Sequence, residues 1–288
     1  MTRVLFFGAS GFLGGFLLGE LKASPDFEPI VANRSQWDIT DRASLVGALR
    51  QNPADIVVNM AAISSTGASP QDVYSVNAQG QLNMLDALVE TGFSGRHIFF
   101  SSSNVYGAAG AAPLKEDTRP RPLNHYSCAK LLAEHYCEMY RPEVRTTIVR
   151  PFSVIGLGQK QYFLMPKLAK HFAEAQPRIE LGNLDVSKDF VDARDFSAMF
   201  LAILRAEQAV DIANLCNGQT SSIRDILGIF QTISAHAPEV VVNSDFVRPK
   251  DILFQVGDPT LIKSLGYTRS FTIEQTVAWL YEGARKGL

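Results

Sequence analysis

Tyr126 and Lys130 stand four residues apart in a stretch, Tyr126 to Tyr140, that has helical periodicity, so a phenol and an ammonium share one helix face. A phenol with an ordinary pKa of about 10 exchanges protons poorly near neutrality. A fixed cation beside its oxygen would stabilise the phenolate, which makes Tyr126 a candidate general acid or base, and Lys130 would also hold ribose hydroxyls of a cofactor. Upstream, an apolar run ends in Ser101-Ser102-Ser103-Asn104-Val105-Tyr106-Gly107. A hydroxyl in that cluster would hydrogen-bond a substrate carbonyl and steady the charge developing on it. A third feature, Gly8-Ala9-Ser10-Gly11-Phe12-Leu13-Gly14, follows the apolar run Val4 to Phe7. Gly8 permits a sharp turn, Gly11 admits a pyrophosphate against the backbone, and Gly14 lets a helix pack on the strand. The helix start, with Ser10, Phe12 and Leu13 around it, presents N–H groups and positive dipole to phosphates.

The residues after the second candidate strand select the dinucleotide. NAD binders place a carboxylate there for the ribose hydroxyls, whereas this chain reads Ala32-Asn33-Arg34-Ser35. A cation and a hydroxyl suit a 2′-phosphate, so NADP(H) is expected in preference to NAD(H), with NAD(H) still open. Asp38-Ile39 would meet the adenine, Asp38 accepting from its amino group.

These residues need a scaffold, and the chain predicts one. Apolar runs at Arg3 to Phe7, Pro29 to Ala32, Ile56 to Met60, His97 to Ser101, Thr146 to Val149 and Ala213 to Cys216 read as strands. Helical patterns fall at Gly11 to Leu21, Ala43 to Gln51, Val73 to Thr91, Tyr126 to Tyr140 and Asp195 to Arg205. The alternation predicts an α/β fold: a doubly wound parallel sheet of Rossmann type with a smaller C-terminal substrate-binding region. The dinucleotide-binding part is placed at residues 1–155, with 188–217 returning to it, and the substrate-binding region at 156–187 and 218–288.

With 288 residues, 46% hydrophobic, and 27 Lys+Arg against 29 Asp+Glu, the chain is a core-forming globular protein with no basic face for nucleic acid. The apolar run Val4 to Leu18 behind Arg3 mimics a secretory signal, but glycines interrupt it and no stretch approaches the ~20 apolar residues of a spanning helix. No membrane association is expected. Cys128, Cys137 and Cys216 lie far apart, and no cysteine or histidine spacing suits a metal, so no metal and no disulfide are expected and a reducing cytoplasm fits. Cys128 is expected to face the interior.

Taken together, the loop Gly8 to Gly14, Asp38-Ile39-Thr40-Asp41, Asn59-Met60-Ala61-Ala62, Asn77, Ser101 to Gly107, Tyr126 to Lys130 and Arg150-Pro151-Phe152 resemble the extended short-chain dehydrogenases/reductases of the nucleotide-sugar epimerase/dehydratase superfamily. The resemblance covers nearly the whole chain. It implies Ser102 as the catalytic hydroxyl, Tyr126 as proton donor and Lys130 as its partner. It further implies that Ala61, Ala62 and Asn77 line the cofactor and that Pro151-Phe152 approaches the nicotinamide. Ser64, Ser103, Asn104, Ser153, Lys188, Arg248 and Asp251 would then contact substrate, Arg248 gripping a diphosphate bidentately.

The second half is most similar to the branch that reduces GDP-4-dehydro-6-deoxy-mannose, through Arg150 to Gln159, Gly182 to Asp185, Lys188 to Asp195 and Arg248 to Asp251. Ser153, Lys188 and Leu157 depart from the Asn, Arg and Pro common there. Related 4,6-dehydratases carry acids where this chain has Ser103 and Asn104, which disfavours dehydration. The expectation is NADPH-dependent reduction of the C4 keto group of a nucleoside-diphosphate 4-keto-6-deoxy-hexose, GDP-linked, giving a product such as GDP-rhamnose. Alternatives are a 4-epimerase with bound NAD and a non-catalytic dinucleotide-binding regulator. A homodimer through the Val73 to Thr91 and Tyr126 to Tyr140 helices is implied, although the stripe Leu82, Leu85, Leu88 and Val89 would serve a core equally well.

Overall fold

A computed structural model describes residues 1–64, 67–246 and 252–288. The first half runs β1 (Thr2–Phe7), α1 (Phe12–Ala23), β2 (Phe27–Ala32), α2 (Arg42–Gln51), β3 (Ile56–Asn59), α3 (Pro70–Tyr74), α4 (Gly80–Glu90), β4 (Arg96–Phe100), α5 (His125–Met139) and β5 (Thr146–Pro151). The second half adds β6 (Ser153–Ile155), α6 (Leu164–Ala173), β7 (Arg178–Leu181), β8 (Ser187–Lys188), β9 (Phe190–Asp192), α7 (Ala193–Arg205) and β10 (Ile212–Leu215). It ends with β11 (Ser221–Ser222), α8 (Ile223–Ser234), β12 (Glu239–Val242), β13 (Phe254–Gln255), α9 (Thr260–Ser264) and α10 (Ile273–Arg285).

The six expected strands form one sheet in the order β10-β5-β4-β3-β1-β2, with every pairing parallel. Helices cover both faces, so the strands are continuous apolar runs rather than alternating ones. On one face Val4, Phe6, Leu17 and Leu21 pack with Phe196 and Phe200 of α7. On the other, Leu5, Phe7 and Val57 pack with Leu45, Met84, Leu85, Leu88 and Ala133. The fold is therefore the doubly wound α/β sheet anticipated.

Register brings the chemistry to one edge. Phe7 lies opposite both Ala32 and Asn59, and Asn59 opposite Phe99. The segments after Phe7, Ala32, Asn59 and Phe100 consequently leave the sheet side by side at its carboxyl end. The strand order reverses between β1 and β3, and the crevice beyond such a reversal is where open parallel sheets bind ligands.

Two local expectations change. The single helix predicted over Val73 to Thr91 is α3 and α4 joined by a widened turn at Ser75–Gln79. Asn77 in that turn reaches back to the loop after β3, receiving the Ile63 N–H at 2.8 Å and donating to the Ile63 carbonyl at 2.9 Å. Widened turns of this type are frequent at functional sites. Of the apolar stripe, Leu85 and Leu88 turn into the protein's own sheet, while Val89 of α4 and Met139 of α5 remain exposed.

Beyond β5, small sheets β6–β9, β7–β12 and β11–β8–β13 pack with α6, α8 and α10 around a separate apolar cluster that includes Leu168, Phe172, Ile226, Phe230 and Leu280. Phe172 and Phe230 stack with ring centroids 5.1 Å apart. No helix among the described residues is long and apolar enough to cross a membrane.

Candidate active site

The turn after β1 is shaped by backbone contacts that only glycine permits. Gly8 has φ +85°, and a Cβ there would lie 2.5 Å from the Ala61 nitrogen. At Gly14 a Cβ would lie 2.4 Å from the Ala9 carbonyl oxygen, so α1 packs directly on the turn. Gly11 differs: its Cβ would meet nothing nearer than the Gly8 carbonyl at 3.4 Å, and Ser10 and Gly11 are exposed. The first turn of α1 has no side-chain cap. An open backbone turn beside an uncapped helix start fits a pyrophosphate. The Phe12 ring points elsewhere, edge-on to Phe16, which in turn meets Trp279 of α10.

Asn33, Arg34 and Ser35 are exposed at the neighbouring strand end, the Asn33 side chain accepting the Ser35 N–H at 3.1 Å. Asp38 accepts from both the N–H and the hydroxyl of Thr40 at 2.8 Å. Those bonds, aided by the Arg34 charge, hold its carboxyl below the usual range. Ile39 is buried in the core, its carbonyl receiving Asn83 at 3.2 Å.

At the end of β3, Asn59 accepts the Ala61 N–H at 3.0 Å and donates to Gln81 at 2.7 Å. The Gln81 amide donates onward to His97 at 2.9 Å and to the Cys137 sulfur at 3.3 Å, while His97 Nδ1 donates to the Val57 carbonyl at 3.0 Å. Burial pushes His97 down to about 4, so it is neutral. Beneath Ala61 and Ala62 there is thus a dry, hydrogen-bonded foundation. Ser64 is exposed on the same loop. Sequence reasoning missed Gln81 and His97; the signal was a polar residue inside an otherwise apolar helix face and strand.

The serine cluster follows β4. Ser102 accepts the Asn104 N–H at 3.2 Å, capping the turn Ser103–Tyr106. Its hydroxyl stands by the Tyr126 phenol and favours the ionised form of that group. Tyr126 occupies the first turn of α5, whose start is fixed by a capping box between Asn124 and Ser127. Lys130 is buried one turn later and donates to the Phe100 carbonyl at 2.6 Å. Burial lowers Lys130 to about 7, against the opposing charge of Glu134. Tyr126 departs from expectation: burial raises it, countered only by the Ser102 side chain. The ammonium is spent on the Phe100 carbonyl, so the phenol keeps its proton.

The remaining expected contacts are distributed unevenly. Ser103 is buried and tied to Gln255 of β13, its hydroxyl donating at 3.2 Å and its carbonyl accepting at 2.9 Å. Asn104 is half-buried beside it. Pro151 is half-buried, and Phe152 is buried with its ring 6.5 Å from that of Tyr106. Ser153 is half-buried and bonds the Asp189 carbonyl through its N–H at 3.1 Å; Lys188 in β8 pairs with Gln255. Arg248 and Asp251 lie outside the described residues. The Asp189 carboxylate receives the N–H groups of Asn217, Gly218 and Gly257 at 2.8–3.2 Å, and burial raises it to about 6. Cys128, expected to face the interior, is half-buried. No group of acids, histidines and cysteines among the described residues could hold a metal.

The Tyr126 phenol, the Ser102 hydroxyl and the open glycine turn thus belong to segments that leave the same edge of the sheet. A GDP-6-deoxy-D-talose 4-dehydrogenase of Aggregatibacter actinomycetemcomitans is 34% identical over 274 residues, covering 94% of this chain and 93% of that protein. A GDP-6-deoxy-D-mannose reductase of Pseudomonas aeruginosa is 33% identical over 254 residues, covering 84% and 83%. The solved structure of RMD from Pseudomonas aeruginosa complexed with NADPH superposes with a TM-score of 0.90 at 29% identity, covering 100% of both chains. Residues 4–216 match the NAD dependent epimerase/dehydratase family, and the chain is a member of that family, in its extended short-chain dehydrogenase/reductase class.

Proposed function

We propose that the protein catalyses the NADPH-dependent reduction of the C4 keto group of a GDP-linked 4-keto-6-deoxy-hexose. The observation that carries this reading is the Ser102–Tyr126 pair at the sheet edge that also bears the open glycine turn. Gly8, Ser10, Gly11, Leu13 and Gly14 would hold the pyrophosphate, Arg34 and Ser35 a 2′-phosphate, and Ala61, Ala62 and Asn77 the wall of the crevice. When bound, the reduced nicotinamide supplies a hydride to the carbonyl carbon. Tyr126 gives its proton to the carbonyl oxygen, and a phenol held protonated by burial suits that direction. Ser102 donates a hydrogen bond to the same oxygen as charge grows on it. Lys130 stands one helical turn away to hold ribose hydroxyls.

The names of the two relatives support GDP as the carrier, the first also position 4 as the reacting carbon, and between them either direction of the redox step. Exposed Arg34 and Ser35 favour an exchanging NADPH over a permanently held NAD. Residues 156–187 and 218–288 are taken as the substrate-binding region, and α4 and α5, with exposed Val89 and Met139, as the face of a homodimer. The test incubates the protein with GDP- and dTDP-linked 4-keto-6-deoxy sugars, each with NADPH and NADH, and follows loss of the reduced nicotinamide. Turnover with GDP sugar and NADPH is expected. A tightly bound nicotinamide that never exchanges would overturn the reading in favour of an epimerase.

A further inference from the structure

Three consecutive residues at the end of β4 grip three turns of α5. The Phe100 carbonyl accepts from Lys130, the Ser101 hydroxyl donates to Glu134, and Ser102 stands by Tyr126 and favours its ionised form. Tyr126, Lys130 and Glu134 succeed one another at intervals of four residues and so share a helix face. Glu134 is itself clamped: Arg150 of β5 donates to its two oxygens, from Nε at 3.0 Å and Nη2 at 2.6 Å. Arg150 is fixed in turn, donating to the Tyr106 hydroxyl at 2.8 Å and the Glu116 carbonyl at 3.0 Å. Both charged groups are almost completely buried. A bidentate guanidinium holds a carboxylate in one plane, which a single contact does not. Buried ion pairs add little net stability compared with apolar packing, so stability alone does not account for one placed against the serine cluster.

We propose that Glu134, locked by Arg150, is the positioning residue of the active site: through Ser101 it sets the strand end so that Ser102 meets Tyr126, and its charge faces the Lys130 ammonium. The proposal rests on the proton-donor reading of Tyr126 above. Around Lys130 stand Glu134 and the Cys137 thiol of its own helix, with the Phe99 ring at 4.9 Å and the Phe100 carbonyl from β4; Arg150 lies behind Glu134. Replacing Glu134 by Gln removes the carboxylate that favours the Lys130 charge and leaves Arg150 without its partner. Both changes disfavour a protonated Lys130.

The test uses the full chain without ligand, with isotope-labelled lysine and tyrosine side chains followed by NMR and the Lys130 signal assigned with Lys130→Met. Glu134→Gln is expected to lower the Lys130 titration midpoint by about one pH unit or more. Ser101→Ala, which keeps the ion pair and therefore the fold, is expected to move the Tyr126 signal and to lower kcat about tenfold with KM changed less than about twofold. An unmoved Lys130 midpoint in folded Glu134→Gln, or wild-type Tyr126 signal and kcat in Ser101→Ala, overturns the proposal. If Glu134→Gln does not fold, the Ser101→Ala spectrum decides. If the wild type reduces no 4-keto nucleotide sugar, the functional reading falls while the NMR measurements still decide this one.

Discussion

Two glycines of α1 should respond to alanine with opposite signs. Helix propensity treats them alike, favouring Ala over Gly by about 0.5–1 kcal/mol inside a helix. At Gly19 a Cβ meets nothing within 4 Å and the residue is exposed, so Gly19→Ala should stabilise by about that amount. At Gly14 the new carbon lands 2.4 Å from the Ala9 carbonyl oxygen, where real contacts do not close below 3.0 Å. Two backbone segments must then part by about half an ångström, and overpacking of this kind costs about 1–3 kcal/mol, the upper end where no side chain can yield. The net effect of Gly14→Ala should be a loss of about 2 kcal/mol, after allowing for propensity. Urea unfolding of the two variants and the wild type measures both. Because the displaced element carries the uncapped N–H groups, Gly14→Ala should also weaken NADPH binding, and Gly19→Ala should not. Equal stabilisation by the two substitutions would refute the close-packing argument.

Tyr126→Phe should lower kcat by about a hundredfold or more while NADPH titration stays unchanged, since only the proton donor is lost. Arg34→Ala should weaken NADPH about tenfold or more, the scale of a charge-assisted hydrogen bond, and leave NADH binding unaltered; equal loss for both cofactors would reject the 2′-phosphate role. His97 is about 4 in the fold against an ordinary 6.5, so below 6.5 the unfolded chain binds the extra proton. The stability contributed by neutral His97 is full above pH 6.5 and is lost as pH falls toward 4, about 3 kcal/mol in all. Urea midpoints of wild type and His97→Gln between pH 7 and 4.5 should therefore converge as the pH falls.

Local pattern was enough for much of this protein. Val4 to Phe7 and Ile56 to Val58 are apolar on both faces because helices cover both sides of the sheet, and that is visible as an unbroken run of side chains. Gly8 and Gly14 are readable for a similar reason: a turn that brings backbone to within van der Waals contact of backbone admits no Cβ. The four-residue interval of Tyr126 and Lys130 likewise follows from helix geometry alone. What those groups do to one another was decided by tertiary contacts. The Lys130 ammonium goes to Phe100 rather than to the phenol, and burial then outweighs Ser102 at Tyr126. Ser103 spends its hydroxyl on Gln255, 152 residues away, and Glu134 of α5 finds Arg150 of β5 beneath it. Polar partners of that kind depend on the register of distant segments and on which face of each element is turned inward, and neither is encoded by any short stretch of chain.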